Sequence, residues 1–189
     1  MRLRRIGERY HQAARTHQHM QALRLIKIDD ELMRVAADGA ECFAARYATS
    51  LGECAPTVRD VISQTKSLYA RAPRAEPWIG YLAVASGDAV VGTCGFTGAP
   101  ASDGAVEIAY FTLPPFERRG YGTAMVAALI EIAVKSGLVV RVIAHTLAEA
   151  NASTRILQKA GMTCAGEIEH PEDGRVWLWE LRVGAAKCN

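Results

Sequence analysis

The chain has no matched set of cysteines. Its five, Cys42, Cys54, Cys94, Cys164 and Cys188, are an odd number without a CxxC pair. That excludes a disulfide scaffold and a zinc signature, and it fits a reducing compartment. Charge of one sign is also scarce: 22 Lys and Arg against 20 Asp and Glu leave +2, too little to imply nucleic acid as a partner. No apolar run approaches the roughly 20 residues that span a bilayer, and the start has no apolar centre of a secretory signal. No membrane association is therefore expected, and the expected location is cytoplasmic. The standard nucleotide motifs are missing too. No Lys-Ser or Lys-Thr follows Gly120 and Gly122, and there is no three-glycine dinucleotide fingerprint.

What is present is enough apolar material for one core. Half of the 189 residues are hydrophobic, which argues against disorder and against a second full domain. The basic residues are unevenly placed: Arg2, Arg4, Arg5, Arg9 and Arg15 face a single Glu8. Residues 1–19, with His11, His17 and His19, read as a solvated tail or short helix in preference to a metal site. Met20 stands directly before a strand-like segment and is an alternative biological start. The expected organisation is a basic tail over 1–19, a single domain over 20–183 and a frayed end over 184–189.

The stretch Val106–Gly122, VEIAYFTLPPFERRGYG, organises the rest. It begins as a strand, Val106–Leu113, and Pro114 and Pro115 end it. Arg118-Arg119-Gly120-Tyr121-Gly122-Thr123 follows, and an apolar helix runs from Thr123 to about Lys135. Strand, basic glycine loop and helix suit phosphate oxygens. Glycine admits close backbone approach, first-turn amides and the helix dipole point at the anion, and arginine adds charge-assisted bonds.

Before this stretch, Ala22–Ile28 reads as a strand, and Asp29 or Asp30 caps a helix from Glu31 to about Ala45 that Gly39 weakens or splits. Thr57 caps a helix over Val58–Ala70. Trp78–Ala85, the Ser86-Gly87-Asp88 turn and Ala89–Phe96 form a hairpin, and Val106–Leu113 extends it to an antiparallel meander. After the apolar helix, Leu138–Ala144 is predicted as a strand parallel to Val106–Leu113. Asn151 or Ser153 caps a helix that Gly161 stops, with Arg155, Gln158 and Lys159 facing outward. Met162–Glu169 and Arg175–Val183 close the chain as a hairpin, Trp177 and Trp179 packing on one face. That hairpin leaves a homodimer interface open.

EIAYFTLPPFERRGYGTAM followed by HTLAEANASTRILQKAGM resembles the GCN5-related N-acetyltransferases (GNAT), and looks most like the branch that includes the ribosomal-protein alanine N-terminal acetyltransferases. The resemblance covers about Ala22 to Val183. It implies an α+β fold with a twisted mixed sheet of about seven strands, splayed centrally, and four main helices. Acetyl-coenzyme A lies in the splay. The pyrophosphate loop falls on Glu117–Gly122, with the amides of Arg118, Arg119, Gly120, Tyr121, Gly122 and Thr123 around the diphosphate. Ala109, Tyr110, Phe111, Thr112 and Leu113 lend backbone to the pantetheine arm, and Asn151 and Ser153 contact coenzyme A. Many relatives carry a tyrosine after that serine as acid for the thiolate; Leu157-Gln158 stand there in this chain.

The implied reaction is acetyl transfer to a primary amine, a protein N-terminus or a small molecule, by direct attack in a ternary complex. A base must take the amine proton. Glu107 is the first candidate and His145, expected at the end of its strand, the second. A backbone amide near Phe111 polarises the thioester carbonyl. Glu41, Glu53, Asp60 and Asp103 are the acids expected near a cationic acceptor. A non-catalytic acyl-coenzyme A-binding or sensor module on the same fold is the alternative.

Overall fold

The first strand, β1, Leu23–Lys27, serves both faces of a sheet: Leu23 and Leu25 are half-buried on one side and Ile26 is buried on the other. The computed structural model describes residues 22–183 except Glu172. The basic tail with its three histidines, the Met20 start and the frayed end lie outside the described residues. Asp29 caps α1, Asp30–Ala37, by accepting from the Leu32 amide at 2.9 Å. Gly39 splits the helix, the stronger of the two effects expected of it. Its φ of 118° ends one helix and starts another, α2, Ala40–Tyr47.

The third helix, α3, Ala55–Arg71, starts two residues before the Thr57 cap that the sequence suggested. Pro56 sits in its first turn, where a missing N–H costs nothing and the fixed φ is already helical. The meander follows as β2, Gly80–Ala85, β3, Val90–Phe96, and β4, Ala105–Thr112. After the turn Pro114–Phe116 comes α4, Tyr121–Ser136, closed by Gly137 at φ 66°.

The next strand is β5, Arg141–Leu147, shifted three residues from the predicted Leu138–Ala144. Both windows are apolar and β-branched, so periodicity could not choose between them. Tertiary pairing does: β5 aligns with the last strand from Arg141↔Arg182 to Leu147↔Val176. Leu138 is 61% exposed, and the Val140 amide donates to Gly104 O at 2.8 Å. His145 therefore lies inside the strand and not at its end. The chain finishes with α5, Ala152–Lys159, β6, Thr163–His170, and β7, Gly174–Arg182.

The seven strands form one α+β mixed sheet in the order β1-β2-β3-β4-β5-β7-β6, antiparallel except for β4–β5. The split of the first helix at Gly39 brings the helices to five among the described residues, against four expected. None of them is long and apolar enough to cross a membrane.

Both faces of the sheet are covered. On one, Met125, Val126, Leu129, Ile130 and Ala133 of α4 pack with Val106, Ile108, Val142, Ala144 and Trp179. On the other, Leu32, Phe43, Val58 and Ile62 of the first three helices meet Ile26, Leu82, Val84 and Leu113. Each fully buried aliphatic side chain contributes about 1.5–3 kcal/mol. Trp179 fulfils the packing reading of the tryptophans, and its indole donates to Thr146 Oγ1 at 3.0 Å.

β2 and β3 touch backbone to backbone where Gly80 faces Gly95. A Cβ on Gly95 would stand 2.7 Å from Gly80 Cα and 2.8 Å from Ile79 O, whereas one on Gly87 meets nothing within 4 Å. Gly95→Ala should lower unfolding free energy by about 1–3 kcal/mol in urea titrations, and Gly87→Ala should leave it within about 0.5 kcal/mol.

Candidate active site

β4 and β5 pair over only three residues, Ala105↔Arg141, Val106↔Val142 and Glu107↔Ile143. Beyond Glu107 they diverge, each held by its outer neighbour. β3 stays on β4 as far as Thr112, and β7 stays on β5 as far as Leu147. A wedge therefore opens at the carboxyl ends of the two parallel strands, where open sheets place ligands.

The hydrogen-bond register decides which β4 amides face that wedge. Thr97 donates to Glu107 O and Leu113 donates to Val91 O, both at 3.0 Å. Odd-numbered β4 residues thus direct N–H and C=O to β3, and even-numbered ones direct theirs to the wedge. Phe111, paired with Thr93, spends its amide inside the ladder. The amide expected near Phe111 is therefore that of Tyr110 or Thr112, which face the wedge, and not that of Phe111 itself. Leu113 gives its amide to Val91 O in the same way, and its side chain is fully buried in the core.

One cavity, of about 440 Å³, lies between the end of β4, the loop and α5. Tyr110, Phe111, Thr112, Arg118, Gly120, Gly122, Thr123 and Ser153 line it, with Arg155, Ile156 and Lys159. The loop backbone is unusual at two points, Arg118 at φ 59° and Gly120 at φ 88°. Only glycine takes the latter without strain. The first hydrogen bond of α4 runs from the Ala124 amide to Gly120 O at 3.1 Å, so the amides of Tyr121, Gly122 and Thr123 precede the helical ladder. With the dipole of a 16-residue helix behind them, these donors fit a diphosphate. The Arg119 guanidinium lies 5.7 Å from the Phe116 ring, and Tyr121 packs edge-on against the same ring. Those two side chains brace the loop while their backbone serves it.

Gly122 has a separate reason to lack a side chain. A Cβ there would lie 2.6 Å from Ile156 Cδ1, so α4 and α5 approach through it. Asn151 caps α5 in a reciprocal box with Thr154, its Oδ1 accepting from the Thr154 amide at 3.1 Å. This is the cap that the sequence offered at Asn151 or Ser153, and Asn151 lines neither cavity. Arg155 and Lys159, expected outward, are set on the cavity wall. Their i, i+4 spacing beside Ile156 was the available signal.

A second cavity, of about 370 Å³, adjoins the first and shares Tyr110 and Ser153 with it. Thr97, Glu107, Ala109, His145, His170 and Asp173 also line it. Glu107 and His145 share a sheet face, and Glu107 Oε1 is 2.7 Å from His145 Nδ1. The other carboxylate oxygen accepts from the Thr97 hydroxyl at 3.0 Å. An ionised carboxylate only accepts, so neutral His145 carries its proton on Nδ1 and its lone pair on Nε2. The His170 ring centroid is 5.1 Å from that of His145, and His170 Nδ1 is 3.2 Å from Asp173 Oδ2.

Sequence reasoning read His170 and Asp173 as turn residues. They reach the site because β7 pairs with β5, which brings the β6–β7 turn beside the wedge. Glu41, Glu53, Asp60 and Asp103, the acids expected here, line neither cavity; Asp103 pairs with Arg141 at 2.7 Å. Among the described residues, the acidic groups facing this space are Glu107 and Asp173. No group of His, Cys, Asp and Glu suited to a metal ion occurs among the described residues.

Tyr110 joins the two spaces, its hydroxyl donating to Ser153 O at 3.2 Å. Burial pushes the phenol up to about 12, and the bond to Ser153 opposes the shift.

A mixed sheet wedged open at its one parallel pair, with an anion-cradling helix start beside the opening, defines an acyl-coenzyme A-dependent acyltransferase. A family profile described as an acetyltransferase (GNAT) domain matches residues 17–163, and the chain belongs to that family. It is an N-acetyltransferase with acetyl-coenzyme A as acyl donor. No curated protein matches the chain.

Among solved structures, it is similar to RimL, a ribosomal L7/L12 α-N-protein acetyltransferase in complex with coenzyme A. The two are 16% identical over 85% of this chain and 94% of that one, with a TM-score of 0.58. A ribosomal-protein-S5-alanine acetyltransferase from Vibrio fischeri is 15% identical over 88% and 94%, TM-score 0.57. A chimera of the Vibrio cholerae spermidine N-acetyltransferase SpeG is 10% identical over 85% and 95%, TM-score 0.60. At these identities the likeness is one of fold.

The raised Tyr110 phenol has a consequence for alkaline stability. A group whose folded pKa exceeds its unfolded value of about 10 stabilises fully below that value, and the contribution is lost as pH rises through the folded one. Between pH 9.5 and 11.5 the melting temperature should fall less steeply in Tyr110→Phe than in the parent, measured by circular dichroism.

Proposed function

We propose that the chain acetylates a primary amine by direct attack in a ternary complex, with His145 as general base and Glu107 orienting it. The observation that carries this reading is the 2.7 Å contact between Glu107 and His145 Nδ1 at the wedge. It reverses the order in which the sequence ranked the two. Both oxygens of Glu107 are occupied, by His145 and by Thr97, whereas the carboxylate fixes the tautomer that leaves His145 Nε2 basic.

The donor supplies an acetyl thioester. Tyr121, Gly122 and Thr123 hold its diphosphate by their amides, helped by Arg118, and the wedge-facing amides of Tyr110 and Thr112 align the arm and polarise the carbonyl. The amine nitrogen forms a bond to the carbonyl carbon as the C–S bond breaks, and His145 Nε2 takes the proton released. A thiol ionises near pH 8.5, so the departing sulfur needs no dedicated acid and a solvent proton completes the exchange. That accounts for Leu157 and Gln158 where many relatives place a tyrosine.

The acceptor enters the smaller cavity, where Glu107 and Asp173 favour a cation. Its two classes are a protein N-terminus, as in the ribosomal-protein acetyltransferases that the fold is similar to, and a small amine. The catalytic unit is the single domain over residues 20–183, acting in the cytoplasm.

His145→Gln and Glu107→Gln should each lower kcat by about 10²–10⁴, with coenzyme A affinity by calorimetry unchanged. Turnover within threefold of the parent in either variant removes the pair from the chemistry. Gly120→Val should instead abolish coenzyme A binding, because a β-branched residue resists φ near 88°. Undiminished binding would refute the loop assignment.

A further inference from the structure

Glu107 carries its carboxylate on a flexible stem, beside a cavity that attracts cations. His145 Nδ1 holds one oxygen at 2.7 Å, and the Thr97 hydroxyl donates to the other at 3.0 Å. With the first contact alone the carboxylate could pivot, and an arriving ammonium would draw it off the imidazole. The tautomer would go with it. A free imidazole favours its proton on Nε2, so a basic Nε2 persists only while the carboxylate stays in place.

Thr97, one residue past β3, is itself held on several sides. Its amide donates to Glu107 O at 3.0 Å, and its carbonyl accepts from Arg74 Nη1. The branched Cβ leaves the hydroxyl few rotamers. Gly98 follows, and a Cβ there would stand 3.1 Å from Arg74 Nη1, so the bare glycine leaves room for the guanidinium.

Arg74 lies on the loop over residues 72–79, between α3 and β2. That loop has other ties to the sheet. Lys27 Nζ pairs with Glu76 Oε2 at 2.5 Å, and the Tyr81 hydroxyl donates to Pro77 O at 2.8 Å. Arg74 takes part in none of the ion pairs among the described residues. Its Nε is buried without a hydrogen-bond partner there, which costs stability. Folding alone therefore gives little reason for an arginine at this position. Its guanidinium is directed instead at the carbonyl of the residue that steadies the far side of Glu107.

We infer that Arg74 is a positioning residue for the Glu107–His145 pair, acting through Thr97. The guanidinium holds the Thr97 backbone, the Thr97 hydroxyl holds Glu107 Oε2, and Oε1 holds the imidazole as its Nδ1–H tautomer. The α3–β2 loop thereby reaches the proton-accepting nitrogen through a chain of direct contacts. The catalytic consequence rests on the role of His145 proposed above; the tautomer does not.

Imidazole nitrogen NMR of the full chain, above the histidine titration range, reads that tautomer, with His145 assigned by the signals lost in His145→Gln. The parent should show Nδ1–H. Arg74→Met and Thr97→Val should each move His145 at least partly to Nε2–H, and Thr97→Ser should keep the parent form. Arg74→Lys, which keeps the charge and serves should Arg74→Met melt early, should move it less. Glu76→Gln, which breaks another tie of the same loop, should change nothing. With whichever of spermidine and an alanine-initiated peptide the parent acetylates, kcat should fall about tenfold in Arg74→Met and Thr97→Val, with KM within about twofold. Combining those two changes should add little to either alone. An unmoved tautomer in both Arg74 variants overturns the inference, as does an equal shift in Glu76→Gln or a parent already in the Nε2–H form. A shifted tautomer with undiminished kcat removes His145 from the chemistry and leaves the positioning contact standing.

Discussion

Three residue pairs hold the two halves of this sheet side by side, and their brevity is what the rest of the molecule depends on. Had β4 and β5 stayed in register to their ends, the even-numbered amides of β4 would be spent on β5, and no wedge would exist. Leaving buried backbone groups unpaired costs about 1–3 kcal/mol each. The protein tolerates this because β3 and β7 fix the outer sides of the diverging strands and because a polar ligand arm can take the exposed groups. Rigidity on both flanks turns what would otherwise be a defect into a slot of defined width.

Around that slot the chemistry is sorted by face and by helix. In the proposed mechanism, the face shared by Glu107, Ile143 and His145 handles the proton and the start of α4 holds phosphate. Tyr110 and Ser153 belong to both cavities, so one hydrogen bond spans the point where donor and acceptor must meet. Neither set of residues is contiguous in sequence. The sheet order brings β7 beside β5 and hence the β6–β7 turn, with His170 and Asp173, to the mouth of the wedge.

Much of this was legible in the chain, for identifiable reasons. The strand–proline–glycine–helix succession at Val106–Gly122 carries its own geometry, so the loop and the helix after it could be read from local rules, while the α+β sheet of about seven strands followed from the family resemblance. Gly39, Pro56 and Gly137 punctuate as their chemistry requires, although Pro56 outweighed Thr57 in setting where α3 begins. What could not be read depends on long-range pairing. The frame of β5 follows from its match to β7, not from its own β-branched run, and the position of His145 moved with it. The direction of the Phe111 amide follows from strand register, which no side-chain pattern encodes.

Gly122 looks at first like one more glycine placed to let phosphate approach. Its missing methyl group is instead occupied territory, claimed by Ile156 from the neighbouring helix. The loop and α5 are therefore mechanically one part: enlarging residue 122 would push α5 outward, carrying Ser153, Arg155 and Lys159 with it. An engineer wishing to reshape donor selectivity would do better to alter 122 and 156 as a matched pair, exchanging bulk between them, than to edit the loop alone.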